Sequence, residues 1–204
     1  MGAPRRLKKI ETLIQPGDYL IIEFGHNDEK IKGEENGPWR SYSDLLTEFI
    51  QMAKSKGAIP ILVTPTQRRF FNENGTLKAT HGEFPDAMRA VATRNNVSLI
   101  DITKITTDLY EAWGDPLSRK AFVQYPANTF PGQTNILEDN THFNSFGANE
   151  VVRCVITGIQ KLPIPLKQHI LPSVTTYNPK QPNMFSNWTL PMSSRFEAVK
   201  PDGN

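Results

Sequence analysis

The sequence contains a single cysteine, Cys154, and no long apolar stretch. One cysteine excludes a disulfide within the chain, and its place in the apolar segment 151–156 favours a buried thiol over a reactive one. No run of about twenty apolar residues is present, so the sequence predicts no membrane-spanning helix. A charged and then apolar leader is also missing, and we expect a soluble chain whose localisation, cytoplasmic or secreted, stays open.

The sequence also has little net charge. Its formal charge is +2 over 204 residues, which is too small to favour nucleic acid or an anionic membrane surface as a partner. A hydrophobic content of 38% is enough for one domain, which we assign to residues 1–171. From residue 172 the composition changes to proline, serine, asparagine and threonine, so we expect residues 172–204 to form an extended, proline-rich tail.

Two patterns of catalytic chemistry are missing. The G-x-S-x-G pattern of a nucleophilic serine occurs nowhere in the chain, and Ser145 is better placed as a helix cap. Zinc or iron sites usually need a third histidine or an H-x-x-x-H pair, which the group Asp28, Asp139 and His142 does not supply. We therefore predict no metal site at these residues.

What is present is an alternation of strand-like and helix-like patterns. We predict strands at residues 19–24, 59–63 and 98–101, and helices that begin near Leu7, at 44–56, at 84–95, at Ile102 and after His142. This order indicates an α/β fold, a parallel sheet with helices on both faces. Pro60 weakens the second strand, since proline cannot donate to a ladder. The segments 64–80 and 123–140 are predicted as long loops over the carboxyl ends of strands, where such sheets bind ligands.

A carboxylate and an imidazole stand three positions apart near the end of the predicted domain. They are Asp139 and His142, in the segment D-N-T-H-F just before a helix. An imidazole can take and return a proton near neutrality, and a carboxylate can fix its tautomer and stabilise its charged form. We interpret the pair as a general base and its orienting group. The alternatives are a surface histidine and an aspartate that caps a helix or closes a turn.

An amide side chain follows the first predicted strand. Asn27 belongs to the segment G-H-N-D at the carboxyl end of that strand, where it could donate a hydrogen bond to a developing oxyanion. The alternative is an asparagine that closes the strand through a turn.

These two segments together resemble the SGNH (GDSL-type) hydrolases. D-N-T-H-F, the segment 65–69 (P-T-Q-R-R) and the segment 80–85 (T-H-G-E-F-P) are closest to the bacterial rhamnogalacturonan acetylesterases, and the resemblance covers residues 5–171. It implies a three-layer, doubly wound, flavodoxin-like sheet of the SGNH hydrolase type. It also implies serine-dependent deacetylation of pectic acetyl esters without a metal or organic cofactor. His142 would be the base, Asp139 its orienting group and Asn27 the oxyanion donor.

The chain departs from this family at its front. The family carries its serine in a G-D-S segment after the first strand, and no G-D-S occurs here. We therefore expect a fold that is incomplete at its N-terminus, truncated relative to the family. The chain alone would be inactive or part of a split enzyme completed by a separately encoded N-terminal fragment.

The resemblance also makes acetylated pectic oligosaccharide the expected ligand. Arg68 and Arg69 follow a strand and could bind the uronate carboxylate of a pectic backbone, and His81 could lie near the site. The alternatives are solvated loop arginines and exposed loop histidines, for His81 and also for His26. Two other functions stay open: a non-catalytic carbohydrate-binding remnant, and an SGNH esterase or lipase with another acyl ester. A flavodoxin-like binding protein is a more distant alternative.

Overall fold

The structure, a computed structural model, describes residues 3–189, with side chains from residue 6 onward. These residues form five α-helices and five strands, which alternate along the chain except that the fifth strand directly follows the fourth. The helices are α1 (Ala3–Leu13), α2 (Ser43–Ser55), α3 (Phe84–Asn95), α4 (Ile102–Ser118) and α5 (Ser145–Lys161). The strands are β1 (Tyr19–Glu23), β2 (Ile59–Val63), β3 (Ser98–Ile100), β4 (Phe122–Tyr125) and β5 (Leu137–Phe143).

The first three strands form a parallel sheet in the order β1-β2-β3. One face of this sheet packs on α2 and α3, with Ile22 and Leu62 pointing into that core. The other face packs on α4 and α5, with Ile61 and Ile100 pointing into a second core. Helices therefore cover both faces, and the predicted α/β fold, a parallel sheet between two layers of helices, is confirmed.

Pro60 lies inside β2, the middle strand of this sheet. Ile59 donates its N–H to Asp18 on the β1 side at 2.7 Å, and alternation along a strand turns the next residue toward β3. The ladder with β3 begins only at Ile61. The missing donor of Pro60 therefore falls beyond the end of that ladder, which explains why a proline is tolerated there.

The second sheet corrects the prediction of a loop at residues 123–140. β4 and β5 pair there as an antiparallel ribbon, with Phe122 opposite Phe143 and Tyr125 opposite Leu137. The strand β5 carries mostly polar residues and lacks the apolar alternation that indicates a strand in sequence. Its conformation depends on cross-strand partners, which local patterns do not reveal.

Four predicted boundaries, in three elements, also shift by one residue. β1 ends at Glu23 instead of residue 24, and α2 covers Ser43–Ser55 instead of 44–56. β3 ends at Ile100, because Asp101 caps α4 and its side chain accepts a hydrogen bond from Lys104 N–H. The predicted bounds of β2 and α3 agree with the structure.

Residues 172–189, the C-terminal segment, contain one short 3-10 turn, Phe185–Asn187, and otherwise irregular backbone. Tyr177 and Trp188 of this segment pack against the core beside α4 and α5. The domain boundary at residue 171 stays a prediction, and residues 190–204 of the predicted tail lie outside the described residues. Within residues 3–189, no helix combines the length and apolar character that a bilayer span requires.

β1 forms one edge of the parallel sheet, and within the described residues no strand pairs with its outer side. Ile21 and Phe24 keep 48% and 40% of their surface exposed at this edge. A row of unpaired backbone donors and acceptors next to apolar side chains favours pairing with another strand.

Candidate active site

Asp139 and His142 lie on β5 and contact each other directly. The Asp139 carboxylate and His142 Nδ1 are 2.6 Å apart, and the same carboxylate accepts the N–H groups of Thr141 at 2.7 Å and His142 at 2.9 Å. Because Nδ1 faces a carboxylate, it carries the ring hydrogen, and Nε2 keeps its lone pair. The His142 side chain is 76% exposed, so this lone pair is accessible to a reacting group.

The charge of Asp139 is stabilised by these contacts. Partial burial raises the pKa of the Asp139 carboxyl, but hydrogen bonds from the His142 N–H, the His142 ring and the Thr141 N–H outweigh that effect. The pKa therefore lies below its ordinary value of 3.8. An ionised carboxylate held against Nδ1 is the arrangement that orients a general base and stabilises its protonated form.

The turn after His142 is fixed by Asn144, the cap of α5, so the prediction that Ser145 caps this helix is wrong: Ser145 is its first helical residue. Its side-chain oxygen accepts the N–H of Gly147 at 3.0 Å, and its amide donates to Lys120 O at 2.7 Å and Phe122 O at 3.1 Å. The cap thus ties the end of β5 both to α5 and to the start of β4. These bonds fix the backbone directly next to the imidazole.

Asn27 lies beyond the carboxyl end of β1, at the start of a 3-10 turn. The turn is shaped by Gly25, whose φ of +140° suits glycine and whose Cβ position would fall 2.4 Å from Pro65 Cγ. Asp28 accepts the Gly25 N–H at 3.0 Å. The Asn27 side chain is exposed, and its oxygen accepts from Lys30 Nζ at 3.0 Å. Its NH2 group is therefore the part that could donate to an oxyanion.

Asn27 lines a cavity of about 740 Å³ next to the open edge of β1. Apolar side chains of α2, among them Leu46 and Phe49, form much of its wall, and His26, Asn27 and Asp28 add polar groups. The cavity lies at the carboxyl end of a parallel strand, where open α/β sheets bind their ligands.

His81 is buried beside the Asn27 turn. It is 3% exposed, with Nδ1 at 3.0 Å from Glu29 Oε2 and Nε2 at 2.9 Å from Thr66 O. Both ring nitrogens face oxygen acceptors, which fixes the orientation of the ring. The alternative of an exposed loop histidine is wrong for His81, because the long loop 64–80 folds back onto the end of β1.

His26 packs edge-to-face against His81, with 4.6 Å between the ring centroids. Burial, followed by the charges of His81 and Arg68, lowers the pKa of His26 to about 4. His26 Nδ1 is buried without a hydrogen-bond partner among the described residues. The ring is therefore neutral at physiological pH.

Arg68 and Arg69 both have internal partners. Arg68 bonds to the Glu29 carboxylate, to His26 O at 3.4 Å and to Thr80 O at 3.3 Å. Arg69 bonds to the Asp115 carboxylate and, through Nε, to the Asn140 side chain at 2.8 Å. Direct binding of a uronate by these side chains stays an untested prediction, since each guanidinium already pairs with a carboxylate.

The structure thus brings the predicted site residues together in two groups. Asp139 and His142 form one group on the β4–β5 ribbon, and Asn27, Arg68 and His81 gather around Glu29 beyond β1. Sequence reasoning missed Glu29, Asp115, Gln124 and Asn140. Glu29 stands two residues after Asn27, but its contact with His81 spans 52 positions, and no local pattern indicates it.

Among residues 3–189, no group of three or more His, Cys, Asp or Glu side chains is placed to hold a metal ion. Cys154 is buried in the second core, and burial raises the pKa of its thiol to about 12. The thiol is therefore protonated at neutral pH and unsuited to nucleophilic attack.

Comparison with known proteins identifies the family of this chain. The model of the GDSL-like Lipase/Acylhydrolase family matches residues 2–148, a range that contains Asn27, Asp139 and His142. The chain is 45% identical over 166 residues to rhamnogalacturonan acetylesterase RhgT of Bacillus subtilis (strain 168), which covers 81% of this chain and 71% of that protein. It is 34% identical over 171 residues to the probable rhamnogalacturonan acetylesterase YesY of the same strain, covering 81% and 73%.

A solved structure gives the same fold. The crystal structure of protein YxiM from Bacillus subtilis superposes with a TM-score of 0.63 at 24% identity, over 76% of this chain and 40% of that one. The resemblance inferred from the G-H-N-D and D-N-T-H-F segments is confirmed: this chain belongs to the GDSL-like lipase/acylhydrolase family of SGNH-type esterases.

Proposed function

We propose that this chain carries the general base, its orienting carboxylate and an oxyanion donor of a serine-type acetylesterase that acts on acetylated rhamnogalacturonan. The observation that carries the proposal is the 2.6 Å contact between Asp139 and His142 Nδ1, which leaves an accessible lone pair on Nε2. The identity to two rhamnogalacturonan acetylesterases of Bacillus subtilis supports the substrate class.

The proposed reaction is acyl transfer to a serine and then to water. His142 Nε2 takes the proton of the serine hydroxyl while its oxygen attacks the ester carbonyl, and the imidazolium returns that proton to the leaving sugar hydroxyl. Asp139 stays ionised and stabilises the imidazolium. Asn27 donates through its NH2 group to the tetrahedral oxyanion. Water then releases acetate by the same steps with His142 again as base.

The nucleophilic serine of this reaction is not identified in the given sequence, because no G-D-S pattern occurs in it. We propose that a segment with the G-D-S pattern pairs with the outer edge of β1 and brings its serine to the cavity beside Asn27. Two features support this placement: the open edge of β1 with its exposed apolar side chains, and the position of the cavity at that edge. Without such a segment, we expect the chain to be inactive or to act only as a carbohydrate-binding module.

The test is to supply a G-D-S segment and measure acetate release from acetylated rhamnogalacturonan. We expect release only when the segment is present, and no release when its serine is replaced by alanine. His142→Ala should lower kcat by roughly 10⁴-fold or more. His169→Ala, another exposed histidine, is the matched control and should keep full activity.

Asn27→Ala in the same assay should lower kcat by roughly 10²- to 10³-fold with little change in KM, because its hydrogen bond forms in the transition state. No acetate release from the restored protein would refute the proposed reaction. Binding of acetylated oligosaccharide without any turnover would then favour the carbohydrate-binding alternative.

A further inference from the structure

Two adjacent arginines in the loop that follows β2 extend to opposite halves of the site. Arg68 reaches the turn that holds Asn27, and Arg69 reaches the strand that holds Asp139 and His142. Their side chains are only 13% and 5% exposed, although they belong to a long loop. Burial of two consecutive guanidinium groups is unfavourable unless each has firm partners.

The partners of Arg68 surround Asn27 along the chain. Its guanidinium bonds to the carbonyl of His26 and to the carboxylate of Glu29, one residue before and two residues after Asn27. Glu29 also accepts from the His81 ring, which is itself bonded to Thr66 O in the loop 64–80 that carries the two arginines. The Asn27 turn is therefore attached to the loop through Arg68 and the buried ring of His81.

The partners of Arg69 surround the base. The backbone N–H of Arg69 donates to the backbone carbonyl of Asn140 at 2.9 Å, and Arg69 Nε donates to the side-chain oxygen of Asn140 at 2.8 Å. Asn140 stands between Asp139 and His142, and Gln124 of β4 donates to the same side-chain oxygen at 2.6 Å. The other end of the guanidinium bonds to Asp115, which follows a bend in α4 at Gly114.

These contacts matter because the ribbon and the main sheet are separate. Within the described residues, no backbone ladder joins β4–β5 to β1–β3, so their separation is set by packing, by side-chain contacts and by the single backbone bond from Arg69 to Asn140. A guanidinium is planar and offers several donors in a rigid arrangement, so it fixes its partners more closely than an ammonium does. Two such groups on neighbouring residues connect both halves of the site through one short piece of backbone.

We propose that Arg68 and Arg69 are positioning residues that set the placement of the oxyanion donor Asn27 relative to the Asp139–His142 pair. The inference rests on the proposed function, in which both halves act on one ester. It gives these arginines a different role from the binding of a uronate. Each guanidinium acts through a neighbour, Glu29 for Arg68 and Asn140 for Arg69, and neither needs to contact substrate.

The first test needs no turnover. Arg69→Met and Arg68→Met are made in the full chain, and nitrogen-15 NMR follows the His142 ring tautomer and the Asn27 side-chain amide. We expect Arg69→Met to increase the Nε2–H tautomer of His142 and to leave the Asn27 amide signal in place. Arg68→Met should move the Asn27 signal and leave the His142 tautomer unchanged.

The control is Arg89→Met, which removes an arginine paired with Asp86 and Asp101 away from both groups. It should lower stability without changing either NMR signal. If Arg69→Met does not fold, Asn140→Ala removes the same contact from the other side and should change the His142 tautomer in the same way. A wild-type tautomer ratio in both variants would overturn the proposal.

The second test uses the protein restored with the G-D-S segment. Both arginine variants should lower kcat by roughly 10- to 100-fold, since a small misplacement of reacting groups is costly, with KM within about twofold of wild type. Arg69→Lys keeps a cation beside Asp115 but not the bond to Asn140. Compared with Arg69→Met, it should therefore regain more of the stability than of kcat. A raised KM with unchanged kcat would overturn the proposal in favour of substrate binding. If the wild-type protein with the G-D-S segment shows no turnover, the proposed reaction is refuted, but the positioning role of the arginines is not. The NMR experiment tests that role without any turnover.

Discussion

At the scale of single residues, the site is organised around charges that are held in place. His26 packs edge-to-face on His81, and Arg68 bonds to its carbonyl, so a proton on the partly buried His26 ring would meet unfavourable electrostatics from both neighbours. Burial and these charges lower its pKa from 6.5 to about 4. The folded protein therefore binds fewer protons at His26 than the unfolded chain does between these two pH values.

This difference predicts a pH dependence of stability. Below pH 6.5 the unfolded chain takes up a proton at His26 and the folded protein does not, so the free energy of unfolding should fall from pH 6.5 to about pH 4. His26→Gln should flatten this part of the profile. Urea unfolding of both proteins at several pH values measures it. An equal decline in wild type and His26→Gln would contradict the assignment.

The paired residues differ in how far sequence could predict them. The contact between Asp139 and His142 spans three positions, so its spacing and residue types were sufficient to indicate it. The position of Asn27 after an apolar strand was equally local. The partners Glu29, Asn140 and Asp115 became visible only in three dimensions, because each joins segments that the fold brings together. Charge alone does not distinguish a buried loop arginine from a solvated one.

At the scale of elements, the first turn of α5 is pressed against the chain before β4. Ala121 O accepts the Asn144 N–H at 3.1 Å, and a Cβ atom on Gly147 would lie 1.9 Å from that same oxygen. Glycine is required here by this close backbone approach. The contact fixes the position of the first turn of α5. Because Asn144 joins this turn to β5, the contact also fixes the position of His142.

Gly147→Ala should therefore destabilise the protein. The methyl group meets a backbone oxygen that cannot rotate away, so we expect a loss of about 1–3 kcal/mol in the free energy of unfolding. Urea unfolding measures the loss. Asn149→Ala, on an exposed position of the same helix, is the control and should change stability by less than about 0.5 kcal/mol. An unchanged unfolding midpoint for Gly147→Ala would show that α5 can move freely from Ala121.

The elements of the parallel sheet were predictable because their apolar runs reflect burial on both faces. Ile59–Val63 and Phe84–Asn95 were placed to the residue. The ribbon was not, because β5 is a polar segment whose strand conformation follows from pairing with β4 and from its side-chain bonds. The proposed role of β5 in the site favours polar residues. These interrupt the alternation of apolar and polar residues on which strand prediction depends.

At the scale of the whole molecule, a buried carboxylate attaches the C-terminal segment to α5. Glu150 has no exposed surface, and it accepts from Tyr177 OH at 2.8 Å and from the side-chain amide of Asn183 at 2.8 Å. Burial, followed by the bond to Glu150, raises the pKa of Tyr177, so its hydroxyl remains a donor. Trp113 of α4 donates to Asn183 O at 2.9 Å. Residues that are far apart in the chain thus form one hydrogen-bonded cluster.

Glu150→Ala should release this segment. The substitution leaves buried donors without an acceptor, and we expect a loss of about 1.5–3 kcal/mol in the free energy of unfolding. Limited proteolysis with mass analysis should show faster cleavage within residues 172–189 than in wild type. Glu48→Ala, an exposed glutamate on α2, should keep the wild-type cleavage rate. Equal rates for Glu150→Ala and wild type would mean that apolar packing alone retains the segment.

The separation of the β4–β5 ribbon from the main sheet has a consequence for how such a molecule can change. A base mounted on its own hairpin can be shifted by a few substitutions at its attachment points, and the sheet that stabilises the domain need not be altered. Selection or engineering could thus adjust the reach of the imidazole toward larger or smaller esters while the scaffold keeps its architecture.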